Sequence, residues 1–173
     1  MNIQKVPLMA KKEYDELIKE CYVSRIGFKG EYPYIAPFIY VFDGNFLYFL
    51  STKYGKKIKR FQANPKVAVE IEKYKDDLSE YRFVTLQGSI KQVEDYNEKL
   101  NVKKRFVNLI QDKSLSKNIL AALGHSPNDK LESIINEERS FVWKLVDVES
   151  IIGIKTPWSM YKKNFWLKKI RSK

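Results

Sequence analysis

The sequence predicts a mainly β protein with peripheral helices. β-Branched and aromatic residues alternate with period two at 34–41 and 46–51, and again at 66–73, 81–93 and 141–148. Turn sequences separate these runs, and segments with helical spacing lie between them. The chain has 173 residues, of which 44% are hydrophobic and 14% aromatic, so it is large enough to bury one core.

The first predicted elements are a helix and a strand. The helix spans residues 11–20, and its apolar face is formed by Tyr14, Leu17, Ile18 and Cys21. Residues 22–28 form the strand, and Lys29-Gly30-Glu31 turns the chain into the next one. Arg25 could contact a ligand, but an exposed or ion-paired arginine is favoured here.

A hairpin and a short helix come next. Residues 34–41 form one strand, Asp43-Gly44-Asn45 supplies the turn, and residues 46–51 return. Ile58 and Phe61 mark one face of the helix, which Asn64-Pro65 ends.

The start of this helix has an unusual charge. Lys53, Lys56 and Lys57 gather where unpaired backbone N–H groups already make the field positive. A phosphate would relieve this mismatch, with the hydroxyls of Ser51 and Thr52 as further donors. Alternatively, the lysines extend into water and are screened.

The second half of the chain alternates between sheet and helix. Residues 66–73 form a half-buried strand, and residues 81–93 form a longer one with a bulge at Gly88. The segment 94–138 is predicted to be helical, with one helix ending at Gly124 and another starting at Ser126-Pro127. Residues 141–148 return as a strand that continues through 151–154.

The segment PYIAPFIYVFDGNFLYFLSTKYGKKIKRFQANPKVAVEIE resembles the flavin-binding split-barrel proteins related to pyridoxamine 5'-phosphate oxidase. It is most similar to their nitroimidazole-resistance-like branch. The shared features are Pro33-Tyr34, Pro37, Gly55-Lys56-Lys57 and Asn64-Pro65. The resemblance implies a six-stranded split β-barrel, here over residues 1–156 with a helical insertion at about 94–138, and a basic aromatic tail at 157–173. The helix at 11–20 would plug one end of the barrel.

The resemblance also implies a cofactor, flavin mononucleotide (FMN), held between the subunits of a homodimer. The residues that match the phosphate-binding segment are Ser51, Thr52, Lys56 and Lys57. Those that would lie along the isoalloxazine ring are Phe38, Ile39, Tyr40 and Leu50. Arg82 and Thr85 are further candidate contacts, although Arg82 could equally be a surface residue.

The sequence departs from its relatives at several aligned positions. Leu50 stands where many nitroimidazole-resistance relatives have a histidine. Ile35 and Tyr40 replace an arginine and a lysine of the true pyridoxamine phosphate oxidases, and Phe83 replaces a glutamine. The departures at Ile35, Tyr40 and Phe83 argue against vitamin B6 oxidation. No catalytic side chain is evident, so any chemistry would come from the cofactor.

Three functions are therefore compatible with the sequence. The favoured one is an FMN-dependent oxidoreductase that passes electrons from a reduced nicotinamide to a small acceptor, such as a nitroaromatic compound or a quinone. The second is a non-catalytic protein that binds or senses flavin, haem or a deazaflavin. The third is a cofactor-free binding module, for example for nucleic acid.

Composition limits the location and the partners. The single cysteine, Cys21, excludes an internal disulfide, and no apolar run approaches the roughly 20 residues of a membrane span, so we expect a cytoplasmic protein. The net charge is +11, and six of these charges come from the tail. The tail could dock on a neighbouring subunit, lie on anionic lipid or stack on single-stranded nucleic acid, of which docking is favoured.

The only histidine, His125, has no metal-ligating companions in the sequence. Neither a zinc site nor a Ser-His-Asp arrangement can be assembled from recognisable parts. Because it follows Gly124, we expect His125 to serve in a cap or a loop rather than in catalysis.

Overall fold

The structure is a computed structural model that describes residues 5–157. Six antiparallel strands form a closed barrel in the order β1-β2-β3-β6-β5-β4. The strands are β1 Val23–Phe28, β2 Tyr34–Phe42, β3 Leu47–Thr52, β4 Lys66–Tyr74, β5 Tyr81–Gln92 and β6 Ser140–Lys155. The predicted six-stranded barrel is confirmed. The predictions for the tail fall on residues 158–173, outside the described residues.

The barrel closes around an apolar interior because each strand alternates between an inner and an outer face. Phe38, Tyr40 and Phe49 point inward and are almost fully buried. Trp143 of β6 joins them, with its ring centroid 5.9 Å from that of Phe38. Burial of a large side chain contributes about 1.5–3 kcal/mol, so these rings supply much of the stability of the barrel.

Two helices, α1 and α2, cover the ends of the barrel. In α1 (Lys11–Glu20), Leu17 and Ile18 are buried in the interior cluster, and the Tyr40 hydroxyl donates to the Ile18 carbonyl at 2.8 Å. This confirms that α1 plugs one end. In α2 (Lys56–Ala63), Ile58 and Phe61 pack on the same cluster. Since β4 begins after α2 and ends near α1, the two helices lie at opposite ends.

The helical insertion forms a second apolar cluster outside the barrel. It contains α3 (Tyr96–Asp112), α4 (Ile119–Ala122) and α5 (Ser133–Asn136). Phe106 of α3 is fully buried in this cluster together with Tyr48 and Leu50 of β3. The Asp95 carboxylate accepts a hydrogen bond from the Glu98 N–H at 2.7 Å and caps α3. The insertion is therefore part of the packed domain.

The two helices predicted after α3 were largely wrong. Only four residues are helical in α4, and the segment from Ser126 forms turns until the short helix α5 begins at Ser133. Its side chains bond to nearby backbone: Asp129 accepts from the Ser126 N–H at 2.9 Å, and the Ser126 hydroxyl accepts from the Asn128 N–H at 3.2 Å. Such local bonds compete with helix formation. Gly124, at φ +88°, ends the preceding turn as predicted.

The bulge predicted at Gly88 is confirmed. The register between β5 and β6 shifts between Gln87 and Ser89. A Cβ on Gly88 would lie 2.7 Å from the Val146 carbonyl oxygen, so the close approach of the two strands requires glycine. Arg25 is ion-paired as expected, with Glu70 at 3.3 Å and with Glu72. Within residues 5–157, no helix is long and apolar enough to cross a membrane.

Candidate functional site

The turn from β3 into α2 is the centre of the candidate site. Gly55 precedes α2 with φ +96° and ψ −179°, a backbone conformation that is essentially restricted to glycine. No side chain caps this helix, and its first turn contains no acidic residue. The Ile58 N–H donates to the Gly55 carbonyl at 3.2 Å. The N–H groups of Lys56 and Lys57 come before the first bond that the helix can form, and the helix dipole makes them favourable for an anion.

Lys57 and Thr52 lie next to these backbone donors. The Lys57 Nζ donates to the Thr52 Oγ1 at 2.6 Å, and the Thr52 hydroxyl is 3.5 Å from the Tyr54 carbonyl oxygen. Lys57 is half-buried, and this burial lowers the pKa of its ammonium group. An ammonium group held in this way beside free helix N–H groups is suited to bind a phosphate ester.

The surroundings of this turn are strongly positive. Residues 51–69 contain no acid and six basic residues: Lys53, Lys56, Lys57, Lys59, Arg60 and Lys66. Within the part of the chain that the structure describes, none of the six forms an ion pair. The Lys53 Nζ lies 5.3 Å from the centre of the Phe141 ring. The described part of the chain thus leaves these six charges without a directly paired carboxylate.

Successive side chains of a strand point to opposite faces of the sheet, so the other predicted contact residues are divided between the inside and the outside of the barrel. Phe38, Tyr40 and Ser51 face the barrel interior, and the Ser51 hydroxyl donates to the Thr52 carbonyl at 3.0 Å. Their side chains are closed off from a surface ligand, so in this structure only their backbone atoms could contact a flavin. The contacts of these three residues with a flavin stay predictions.

The outward-facing members of the predicted set lie under the insertion. Ile39 and Leu50 pack in the cluster around Phe106, and Leu50 is only 2% exposed. Lys56 is exposed beside Lys57. Thr52, Lys56 and Lys57 are therefore the predicted residues that the structure brings together, and the flavin-ring contacts stay predictions.

Arg82 and Thr85 lie away from Thr52 in the same chain. Arg82 donates to Glu20 at 2.7 Å and lines a cavity of about 360 Å³ near α1, at the other end of the barrel. Thr85 pairs with Ile152 on the outer face of the sheet. Any role for them at the site around Thr52 would require a second copy of the chain.

The sequence did not indicate that the loop around His125 lies next to Thr52. A Cβ on Gly124 would lie 3.6 Å from Thr52 Cγ2. The next residue, His125, is buried, with its Nδ1 3.1 Å from the Ser133 hydroxyl and 4.0 Å from Asp129. Both groups approach the same nitrogen, so this is not a catalytic triad. Burial, and then the charge of Arg139, lowers the pKa of His125. The predicted loop role fits this geometry.

These features define a class of protein: a closed six-stranded antiparallel barrel with a helical insertion and a basic turn from its third strand into a helix. Within residues 5–157, no group of histidine, cysteine and acidic side chains could hold a metal ion. The family model described as pyridoxamine 5'-phosphate oxidase matches residues 10–133. The chain belongs to this family.

Solved structures share the fold at low sequence identity. A FAD-binding protein from Mesorhizobium loti is 18% identical with a TM-score of 0.66, and the alignment covers 89% of this chain and all of that one. A structure named as a 5-nitroimidazole antibiotic resistance protein from Bacteroides thetaiotaomicron is 18% identical with a TM-score of 0.59, covering 87% of each chain. The haem storage protein HutZ from Vibrio cholerae is 11% identical with a TM-score of 0.62, covering 84% and 94%. No curated protein matches the sequence.

Proposed function

We propose that the protein is a flavoprotein that binds FMN through the turn around Thr52 and Lys57. The observation that supports this most directly is the 2.6 Å contact between the Lys57 ammonium and the Thr52 hydroxyl beside the uncapped start of α2. Membership of the pyridoxamine 5'-phosphate oxidase family supports the same ligand. A structural neighbour is named as a FAD-binding protein, which is consistent with a flavin nucleotide.

In this proposal the chain holds the cofactor and the cofactor supplies the chemistry. The backbone N–H groups of α2 and the ammonium groups of Lys56 and Lys57 bind the phosphate, and Thr52 orients Lys57. A bound flavin accepts electrons from one substrate and passes them to another. We propose a reduced nicotinamide as the donor and a nitroaromatic compound or a quinone as the acceptor. The named resistance protein among the neighbours favours the nitroaromatic class.

We also propose that two copies of the chain share the cofactor. The outer surface of the barrel exposes Ile35 of β2 and Ile152 of β6, which are 65% and 56% accessible. Large exposed apolar side chains on one sheet face favour an interface. In such a dimer, Arg82 and Thr85 of one copy are the candidates to reach the cofactor bound by the other. Sedimentation of the purified protein tests this assembly.

The phosphate site is tested by the double substitution Lys56→Ala/Lys57→Ala. Hydrogen bonds to charged groups contribute about 1.5–3 kcal/mol each, so FMN affinity should fall about tenfold or more. The readout is quenching of flavin fluorescence on titration. The control is Lys12→Ala/Lys19→Ala, which removes two exposed charges from α1 at the opposite end. Equal affinity in both double variants would refute the site.

The absorption spectrum of the purified protein separates this proposal from the alternative of a haem-binding or storage protein, which the fold of HutZ suggests. A flavin spectrum, followed by turnover of a reduced nicotinamide with a quinone, supports the oxidoreductase. A Soret band would redirect the assignment to haem. A flavin without turnover supports flavin storage or sensing. In the described structure, His125 is buried, so haem ligation by its imidazole would require the loop to open.

A further inference from the structure

The surface around α2 carries more positive charge than one phosphate requires. A phosphate ester has a charge of about −1.5 to −2 at neutral pH, which Lys56 and Lys57 balance. Lys59 and Arg60 follow within the next turn of the helix. Side chains three and four residues apart on a helix are neighbours, with about 5–6 Å between their Cβ atoms. Lys59 and Arg60 therefore follow Lys56 and Lys57 on neighbouring positions of the helix surface.

Arg60 is held in place without a carboxylate. It is half-buried, and a Cβ on Gly30 would lie only 2.0 Å from its Nη1, so the guanidinium rests against the backbone of the β1–β2 turn. Residues 5–157 provide no ion pair or side-chain hydrogen bond to Arg60. Arginine is the side chain best suited to bind phosphate in a bidentate manner. A positioned arginine with unused donors is a suitable recognition group for a second anion.

The chemistry of dinucleotides indicates what this anion is. In FMN a pentose-derived chain joins the ring nitrogen to the phosphate, and in a nicotinamide dinucleotide a ribose joins the ring to the pyrophosphate. When the two rings stack, their phosphates can reach the same region of the protein. In FAD the second phosphate follows the first directly. Both molecules would place additional negative charge beside the phosphate of the bound flavin.

We infer that Arg60, together with Lys59, forms a second phosphate subsite that binds the pyrophosphate of a dinucleotide next to the flavin phosphate. The inference rests on the proposed function, because the first phosphate defines where the second lies. Lys56 and Lys57 hold the flavin phosphate, and Arg60 and Lys59 select ligands with further phosphate. The subsite thus favours dinucleotides over compounds that carry only the reacting ring.

The test uses Lys59→Ala/Arg60→Ala, with Lys12→Ala/Lys19→Ala as the charge-matched control. One arm measures the dissociation constants of FMN and FAD. The other measures KM, with FMN bound and a quinone as acceptor, for NADPH and for N-benzyl-1,4-dihydronicotinamide, which has the reacting ring but no phosphate. Gly30→Ala keeps the charge of Arg60 but displaces its guanidinium. It should therefore weaken binding of the same dinucleotide that Lys59→Ala/Arg60→Ala affects, but by a smaller factor.

We expect Lys59→Ala/Arg60→Ala to raise either the dissociation constant of FAD or the KM for NADPH about tenfold or more. The affinity for FMN and the KM for the phosphate-free donor should change less than about twofold. An increase in KM for NADPH assigns the subsite to the donor, and weaker binding of FAD assigns it to the cofactor. If neither changes, or if FMN binding falls in parallel, the inference is overturned. If the unaltered protein binds flavin but oxidises neither donor, the proposed oxidoreductase activity is refuted. The subsite is then tested only by the dissociation constants of FMN and FAD.

Discussion

The substitution Phe106→Ala tests whether the helical insertion is an integral part of the domain. Phe106 is 0% exposed and packs in the cluster that contains Tyr48 and Leu50 of β3. Removing a buried phenylalanine ring typically costs about 3–5 kcal/mol, because both the burial and the packing around the cavity are lost. For a chain of this length, about 2–4 °C per kcal/mol gives a decrease in Tm of about 6–20 °C.

Urea and thermal unfolding followed by circular dichroism measure this effect. Tyr96→Ala on the same helix is the control, because Tyr96 is 73% exposed and its loss should change stability by less than about 0.5 kcal/mol. A single transition is expected for both variants. A loss below about 1 kcal/mol for Phe106→Ala, or a separate early transition, would show that α3 is a peripheral unit and that our description of the second cluster is wrong.

Three further predictions concern single residues. Burial lowers the pKa of His125, so the unfolded chain binds the proton at a higher pH than the folded protein does. The free energy of unfolding should therefore fall as the pH drops below about 6.5. His125→Gln should reduce this fall, which urea unfolding at several pH values measures. Gly55→Ala should cost about 1–3 kcal/mol in the same assay and weaken FMN binding, since φ is +96°; an unchanged midpoint would contradict the strain argument. Arg25→Met should cost at most about 1 kcal/mol at pH 7. The cost should shrink as the pH falls and Glu70 becomes protonated, because burial, and then the charge of Glu72, raise the pKa of Glu70 above its usual value.

Much of the fold could be predicted because its signals are local. The alternation on β2 and β4, the turn at Asp43-Gly44-Asn45 and the stop at Asn64-Pro65 each reflect the geometry of a few adjacent residues. The segment from Ser126 could not be predicted in this way, because its apolar residues are buried under α3 by tertiary packing while its polar side chains bond to the local backbone. A helical spacing of apolar residues was therefore misleading there.

The site was predictable only in part, for a geometric reason. A family motif names consecutive residues, but consecutive side chains of a strand point to opposite faces, so Ser51 and Thr52 cannot both face one ligand with their side chains. The contact between Lys57 and Thr52 follows from the turn at Gly55, so it could be predicted from the local sequence. The contact between Arg60 and Gly30 joins distant segments, and nothing in the local pattern indicates it.

The pairing of β3 with β6 has a consequence for the synthesis of the protein. Thr52 pairs with Ser140, so β3 gains its second neighbour only when the last strand of the barrel has left the ribosome. At about 5–20 residues per second, the interval between the two residues lasts roughly 4–18 s. During that time the nascent chain exposes a free strand edge that the closed barrel no longer has. The period of greatest aggregation risk therefore falls during translation, when chaperones that bind nascent chains have access to this edge.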